Sequence, residues 1–471
     1  MTEVQHERAA ASRPLERGGD AEAPSALPPS LHTSGATPAT RRTARSAPNP
    51  DLVLLGREDA PPLDVVAARA LEAGLRRVHF VAWRDLDDPE AGGSEVHAHR
   101  IATLWAEAGL DVAVRTSRAV GHPSRAERDG YQVVRKSGRY AVFPRSAASG
   151  LLGRRGRPDG LVEIWNGMPF FSPLWSRRPR VVFLHHVHAE MWRMVLPPRL
   201  ARMGEFVERR LSPPLYRGSR ILTLSESSRA EIVSMLGFDS SRVTAVPPGL
   251  DPRFSPGGAR SAVPLVVAVG RLVPVKRFDL LVDALADVRR RVPELRAVIV
   301  GEGYERPALE ARRKAVGAED WLDLPGYLDE DGLLDVYRRA WVLASTSQRE
   351  GWGMTITEAG ACATPAVATR IAGHIDAVRH GTSGLLVDGP DDATGANRSG
   401  ARHPGGARPD GVSRSRARRA LADALGSVLT DDALRARLAR GAQAHARSLS
   451  WERTAARTLE ALVEEASSRA G

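Results

Sequence analysis

Val342-Leu-Ala-Ser-Thr-Ser-Gln-Arg-Glu350-Gly-Trp-Gly-Met-Thr-Ile-Thr-Glu358 reads as one strand–loop–helix unit of an open α/β sheet. Val342–Ser345 has the apolar content of a short buried strand, and Met354 to Ala363 reads as a helix. Between them, Gly351 and Gly353 let the backbone turn tightly with no Cβ in the way. The free N–H groups around Met354 and Thr355, and the positive end of the helix dipole, then face an anion. A diphosphate suits such an end. Glu350 lies in the loop before the helix and Glu358 inside it, two separate places from which a carboxylate accepts hydrogen bonds from sugar hydroxyls. Taken alone, the stretch equally describes two solvated glutamates near a helix start.

Working outward, the same alternation recurs on both sides. Strands are expected at Val78–Trp83, Val112–Thr116, Leu161–Trp165, Val181–Leu184 and Ile221–Leu224, and, after the Pro/Gly-rich segment 246–258, at Val263–Val269, Ala297–Val300, Trp321–Leu324, Ala366–Ala368 and Leu385–Val387. The reading is α/β: two doubly wound Rossmann-like domains, at 61–250 and 259–447, facing each other across a cleft. A final helix over 451–468 carries apolar residues at helical spacing (Ala455, Leu459, Leu462, Val463, Ala466). Residues 1–60 and 388–418 are poor in aliphatics and rich in Ala, Pro, Gly and charge. They are expected as a disordered tail and a flexible insertion.

Ligands of such sheets lie beyond the carboxyl ends of the strands, so the residues following each strand matter most. Gly270-Arg271 and, further on, Lys276 place cations where a diphosphate needs them, although basic side chains also snorkel over helices. Lys276 is one of three lysines against 64 arginines. Gly301-Glu-Gly303 and Pro325-Gly326-Tyr327 are turns at the same edge. In the first half, Gly92-Gly93 precede a helix bearing Val96, Ile101, Leu104 and Trp105, another anion-compatible start or a plain Gly-rich turn; the spacing is not G-x-G-x-x-G, which argues against a dehydrogenase. Val181–Leu184 runs into His185-His186-Val-His188. That spacing is not the helical zinc pattern and no companion ligands accompany it, so no metal site is assigned. Asp85-Leu-Asp87 reads as loop. Asn166 and Ser225-Glu226-Ser227 are further strand-end candidates, whereas Trp165, Phe170, Phe171, Trp175 and Trp192 read mostly as core.

The chain has 471 residues, 42% hydrophobic, and a formal charge of +11. Its length calls for two cores, and no apolar run is long enough to span a membrane. The arginines are spread among 56 acids without a nucleic-acid-binding motif, so the charge points to phosphorylated substrates or an anionic membrane surface rather than nucleic acid. The polar start and the single cysteine, Cys362, fit a cytoplasmic protein, peripheral to the inner face of the membrane at most.

Together these residues resemble the retaining glycosyltransferases of two-lobed GT-B architecture marked by the E-x7-E motif (glycosyltransferase family 4-like, glycosyl transferases group 1). The resemblance implies a metal-independent transferase, a hexosyltransferase acting in glycan biosynthesis, with no cofactor beyond its nucleotide-sugar donor and with a glycan, lipid or small-molecule acceptor. It implies Glu350 at the donor sugar, Glu358 at the ribose hydroxyls and Arg271 and Lys276 at the pyrophosphate. The helix start at Gly351, Gly353, Met354 and Thr355 would meet the phosphates, Gly93 would approach them across the cleft, and the backbone at Gly326 and Tyr327 would meet the base. His185, immediately after its strand, would sit at the transferred sugar, with His186 second and Asn166 on the acceptor side. The final helix would cross back to the first domain. Ser347-Gln-Arg-Glu350 and Thr364-Pro365 fit the family pattern; Gly373-His374 stands where a glycine pair is usual and leaves the sugar open. A nucleotide-sugar epimerase of the same fold and a non-catalytic transferase-like subunit are the alternatives.

Overall fold

A computed structural model describes residues 61–152, 158–390 and 411–470. The expected tail at 1–60 and residues 391–410 of the expected insertion lie outside them. Two sheets organise the rest. The first contains β1 (Arg77–Val81), β2 (Asp111–Ser117), β3 (Arg125–Arg128), β4 (Tyr131–Ser137), β5 (Gly160–Trp165), β6 (Arg180–Leu184), β7 (Arg220–Thr223) and β8 (Val243–Ala245), in the order β3-β4-β2-β1-β5-β6-β7-β8. The second contains β9 (Leu265–Val269), β10 (Arg296–Val300), β11 (Leu322–Gly326), β12 (Val342–Ser345), β13 (Ala366–Thr369) and β14 (Gly384–Val387), in the order β11-β10-β9-β12-β13-β14. All pairs are parallel except β3–β4. Parallel strands covered on both faces explain the continuous apolar runs: β5 and β6 are buried at every position.

Three strands, β3, β4 and β8, are absent from the sequence reading. β3 and β4 form a hairpin through Asp129-Gly130, both at positive φ (45° and 80°), the turn that matches strand twist. Its outer strand, Arg-Ala-Glu-Arg, is a charged edge with no apolar alternation to reveal it. The expected insertion also extends too far. Residues 411–418 begin the helix Gly411–Thr430. The arginines there are paired: Arg414 contacts Asp279 at 2.5 Å and Asp283 at 3.0 Å, and Arg418 contacts Asp287 at 2.6 Å, all on the helix Phe278–Arg289.

Each sheet reverses winding direction once. In the first, β1 lies between β2 and β5; in the second, β9 lies between β10 and β12. The loops after β1, β5, β9 and β12 therefore open at switch points, where a doubly wound fold leaves room for a ligand. The last helix, Trp451–Ala470, packs on the helices Leu63–Glu72 and Gly93–Glu107 and on β6 of the first lobe. Trp105, fully buried, donates from its indole to the Ala455 carbonyl at 3.0 Å, and the Thr454 hydroxyl donates to the Pro247 carbonyl at 2.8 Å. Ile101 and Trp105 face this core as expected, whereas Val96 points to solvent.

Candidate active site

The loop after β12 carries Glu350, and the loop after β9 brings Lys276 to it. The Lys276 ammonium donates to Glu350 Oε1, which also accepts from the Ser347 hydroxyl at 2.9 Å. Burial, the largest single influence, would raise the Glu350 carboxyl; the Lys276 charge, the nearby His374 and the hydrogen bonds from Lys276 and Ser347 together outweigh it and hold the group below its ordinary value. Glu350 is thus a carboxylate tied to a cation. Glu358 differs. It accepts from the hydroxyl of fully buried Tyr337 at 2.8 Å, and burial, aided by Asp251 nearby, pushes it up to about 7 despite that bond. Two glutamates on one helix–loop unit therefore have opposite electrostatics.

The loop geometry depends on three glycines. Gly353, at φ +101°, precedes the helix Met354–Ala361, whose first N–H groups have no acceptor within the helix. Thr355 lies in that first turn. A Cβ on Gly351 would stand 2.5 Å from the His185 carbonyl oxygen of the other lobe. Gly373, at φ +83°, lies against the backbone of Glu350, Gly351 and Trp352, where a Cβ would meet atoms at 2.7–2.8 Å. In place of a second glycine, His374 tucks its fully buried ring beneath this loop, 3.2 Å from Ser345 Oγ and 3.0 Å from the Thr369 carbonyl oxygen.

From the first lobe, Gly92-Gly93 meet this helix start. A Cβ on Gly93 would lie 3.1 Å from Met354 Sδ, and one on Gly92 would lie 3.9 Å from Arg271 Nε. The helix Gly93–Glu107 turns its own free N–H groups to the same space, its entry held by Gly92 N–H donating to Glu95 at 2.8 Å. Two helix starts and the exposed Arg271 thus meet across the cleft, an arrangement compatible with an anion. Arg84, unmarked in the sequence, adds a nearby charge. It is nearly buried, stacks 4.3 Å from the Trp83 ring centroid and donates to the Glu90 carbonyl; burial, outweighing Glu95, and the neighbouring Arg271 lower its pKa. Asn166 donates to Ser94 Oγ at 2.9 Å, fixing the loop after β5 against this helix start. Asp85 and Asp87 are taken by Arg135, at 3.1 and 2.6 Å.

The histidines separate clearly. His185 is buried in the first lobe, its ring edge-on to His97 at 5.2 Å and stacked on Phe183 at 5.8 Å. His186 is only half buried. Burial, His188, His185, Arg349 and Lys276 together drive its pKa well below that of a free imidazole. Of the two, His186 is the one whose imidazole is acted on by Lys276, and its burial favours the neutral form. Gly326, at φ +87°, ends β11 against the Glu302 carboxylate, while Tyr327 is exposed at the rim.

Two bridges between the lobes go beyond the sequence reading, which names Ser227 as a strand-end candidate and Arg349 within the family pattern but gives neither a partner. Arg349 reaches Glu190 and Glu231 of the first lobe. Ser227 donates its hydroxyl to Asp376 and accepts from Gly373 N–H at 2.8 Å. The only sequence hints were positional, Arg349 preceding Glu350 and Ser227 following β7.

Known proteins resemble the chain along most of its length. The family described as glycosyl transferases group 1 matches residues 254–399, and glycosyltransferase family 4 matches residues 91–254. The chain is 32% identical over 442 residues to D-inositol 3-phosphate glycosyltransferase of Kribbella flavida, covering 83% of this chain and 96% of that one. It is 28% identical over 428 residues to the protein of the same name from Pseudarthrobacter chlorophenolicus, covering 82% and 93%. Among solved structures, sucrose-phosphate synthase from Thermosynechococcus elongatus superposes with a TM-score of 0.64 over 81% of this chain and 96% of that one, at 17% identity. WaaG, a glycosyltransferase involved in lipopolysaccharide biosynthesis, gives 0.61 over 81% and 98%, also at 17%. At such identities the structural likeness speaks for the fold.

Proposed function

Because the chain belongs to the glycosyl transferases of group 1 and family 4, with their two-lobed GT-B fold, we propose that it moves a hexosyl group from a nucleoside-diphosphate sugar to an acceptor hydroxyl, with retention and without a metal ion. The observation that carries this reading is the Lys276–Glu350 pair at the mouth of two facing helix starts. In the transfer, the bond between the anomeric carbon and the β-phosphate oxygen breaks. The acceptor oxygen bonds to that carbon on the same face, and its proton passes to a departing phosphate oxygen. Negative charge grows on the diphosphate, where Lys276, Arg271 and the free N–H groups at Met354 and Gly93 can stabilise it from preset positions. Positive charge grows on the sugar ring, beside the Glu350 carboxylate and neutral His186. With cations and helix ends supplying the countercharge, a divalent metal has no task left at the phosphate. Glu358, with its raised pKa, suits the paired ribose hydroxyls, and the Gly326–Tyr327 edge suits the base.

The acceptor is a glycan, lipid or small-molecule hydroxyl in the cytoplasm. The name of the Kribbella flavida relative makes an inositol phosphate the first soluble acceptor to try. The test is calorimetric titration with UDP-, GDP- and ADP-sugars in the presence of a chelator, repeated with Lys276→Ala and Glu358→Ala, followed by assignment of the product anomer by NMR. Selective binding weakened by both substitutions, with the donor's anomeric configuration kept, is expected. Metal-dependent binding or an inverted product would overturn the corresponding part of the proposal; an epimerised free sugar would replace transfer by epimerisation.

A further inference from the structure

The segment after the histidine loop exposes apolar side chains that the fold does not use. The helix Met191–Val195 is followed by the helix Pro198–Phe206 and by the π-helical turn Val207–Leu211. Ala201 and Gly204 face inward, while Leu200, Met203 and Phe206 are 46, 53 and 58% exposed. Around the helix, Arg199, Met203, Phe206 and Arg202 fall on one solvent face, with Leu200 at its margin. Arg209, Arg210 and Leu211, all exposed, continue beyond it. The acids of this stretch are not free to offset those charges: Glu205 pairs with Arg193 at 2.6 Å, and Glu208 is buried. A short amphipathic surface with apolar residues at its centre and exposed arginines at its border has the composition that settles into the headgroup region of an anionic bilayer.

This surface is bolted to the active site. The turn Val207–Leu211 directs the Glu208 carboxylate inward, where it accepts from the N–H groups of His188 and Ala189 at 2.7 and 3.0 Å and from the Trp192 indole at 3.2 Å. The Trp192 ring lies so close to Gly204 that a Cβ there would meet it at 2.6 Å. The helix Met191–Val195 in turn packs on the turn Pro274–Lys276. One continuous set of contacts therefore joins the exposed surface, the His186 loop and Lys276.

We propose that the Leu200–Met203–Phe206 face, with Arg199, Arg202, Arg209 and Arg210, docks the enzyme on an anionic membrane and presents its cleft to an acceptor hydroxyl carried by a lipid. This inference rests on the transferase reading for its acceptor but not for the docking itself. The test is co-sedimentation of the full chain with vesicles of phosphatidylcholine alone and of phosphatidylcholine mixed with phosphatidylglycerol. The wild type, Met203→Ser/Phe206→Ser and Arg202→Glu/Arg209→Glu are compared, and donor titration of each variant serves as the check on folding. Wild-type protein is expected to partition onto the anionic vesicles. Each double variant should bind about tenfold or more weakly, as expected from removing two buried apolar contacts or reversing two surface charges, with donor affinity unchanged. The proposal is overturned if wild-type protein stays in solution, if it binds neutral vesicles equally, or if both variants bind as well as wild type, which would place attachment elsewhere. It is also overturned if light scattering without vesicles shows a dimer that Met203→Ser/Phe206→Ser dissociates, because the face is then covered by a second copy. Intact vesicle binding with no donor binding would instead remove the transferase reading and leave the surface standing.

Discussion

Arg349 of the second lobe holds Glu231 of the first, its Nη1 lying 2.7 and 2.9 Å from the two carboxylate oxygens, while Nη2 holds Glu190 at 3.0 and 3.2 Å. Burial would lower the guanidinium pKa, but the two glutamates outweigh it and raise it. Glu190 ends the histidine loop, and Arg349 precedes Glu350, so this contact sets the distance between the two halves of the site.

Replacing Arg349 with Met should therefore impair turnover more than donor binding. The donor contacts proposed for the second lobe would remain, but the His186 loop loses its tie to Glu350. A fall in kcat of roughly tenfold to a hundredfold is expected, with the KM for donor within about threefold, as misplacement of reacting groups commonly produces. Arg349→Lys should recover only part of it, because one ammonium cannot match a bidentate fork. Steady-state kinetics, with small-angle scattering to follow separation of the lobes, gives the readout; unchanged kcat would mean that the bridge merely decorates the interface.

Lys276→Ala should weaken donor affinity by about thirtyfold, roughly 2 kcal/mol, the low end of what removing one partner of a buried charged pair costs, because this pair is only half-buried. It also leaves Glu350 without its counter-charge. The double variant Lys276→Ala/Glu350→Gln should therefore melt at a higher temperature than Lys276→Ala alone, although both lose activity. Thermal unfolding of the pair settles whether Glu350 is ionised in the resting site.

How much of this was readable beforehand follows from the range of each signal. Glu350, Gly351, Gly353 and Glu358 share one strand–loop–helix unit, so local turn chemistry and helix ends expose them. Arg271 and Lys276 follow from the strand-end rule. The contacts that close the site do not, because Arg349 meets partners 118 and 159 residues away and Ser227 meets Asp376 across 149, separations that carry no periodicity. The choice between His185 and His186 likewise depends on which ring the His97 and Phe183 packing absorbs. The β3–β4 hairpin had a local mark in Asp129-Gly130, but its charged edge strand concealed it.

Gly351→Ala should separate activity from stability. The added methyl would press on the His185 carbonyl oxygen of the opposite lobe, so the clash is relieved by opening the cleft rather than by unfolding either sheet. Activity is expected to drop at least about tenfold, one order for each ~1.4 kcal/mol added to the barrier, while the melting temperature falls by no more than a few degrees. Loss of both in proportion would show that the lobes unfold as one unit.

Glu358 supplies the pH dependence. With its carboxyl raised to about 7 in the free protein, it is largely protonated at pH 6. If Glu358 accepts the two ribose hydroxyls as proposed, the ionised form is favoured, the bound pKa lies lower, and donor binding near pH 6.5 should release a proton. Affinity should accordingly increase with pH, by at most tenfold per unit, and level off above about 7. Stability runs the opposite way: a carboxyl raised above its unfolded value favours the fold at low pH, and that contribution is lost as pH climbs from about 4.5 to about 7. Glu358→Gln should remove both trends. Calorimetry in two buffers of different ionisation enthalpy measures the proton directly, and proton release that survives in Glu358→Gln would assign it to another group.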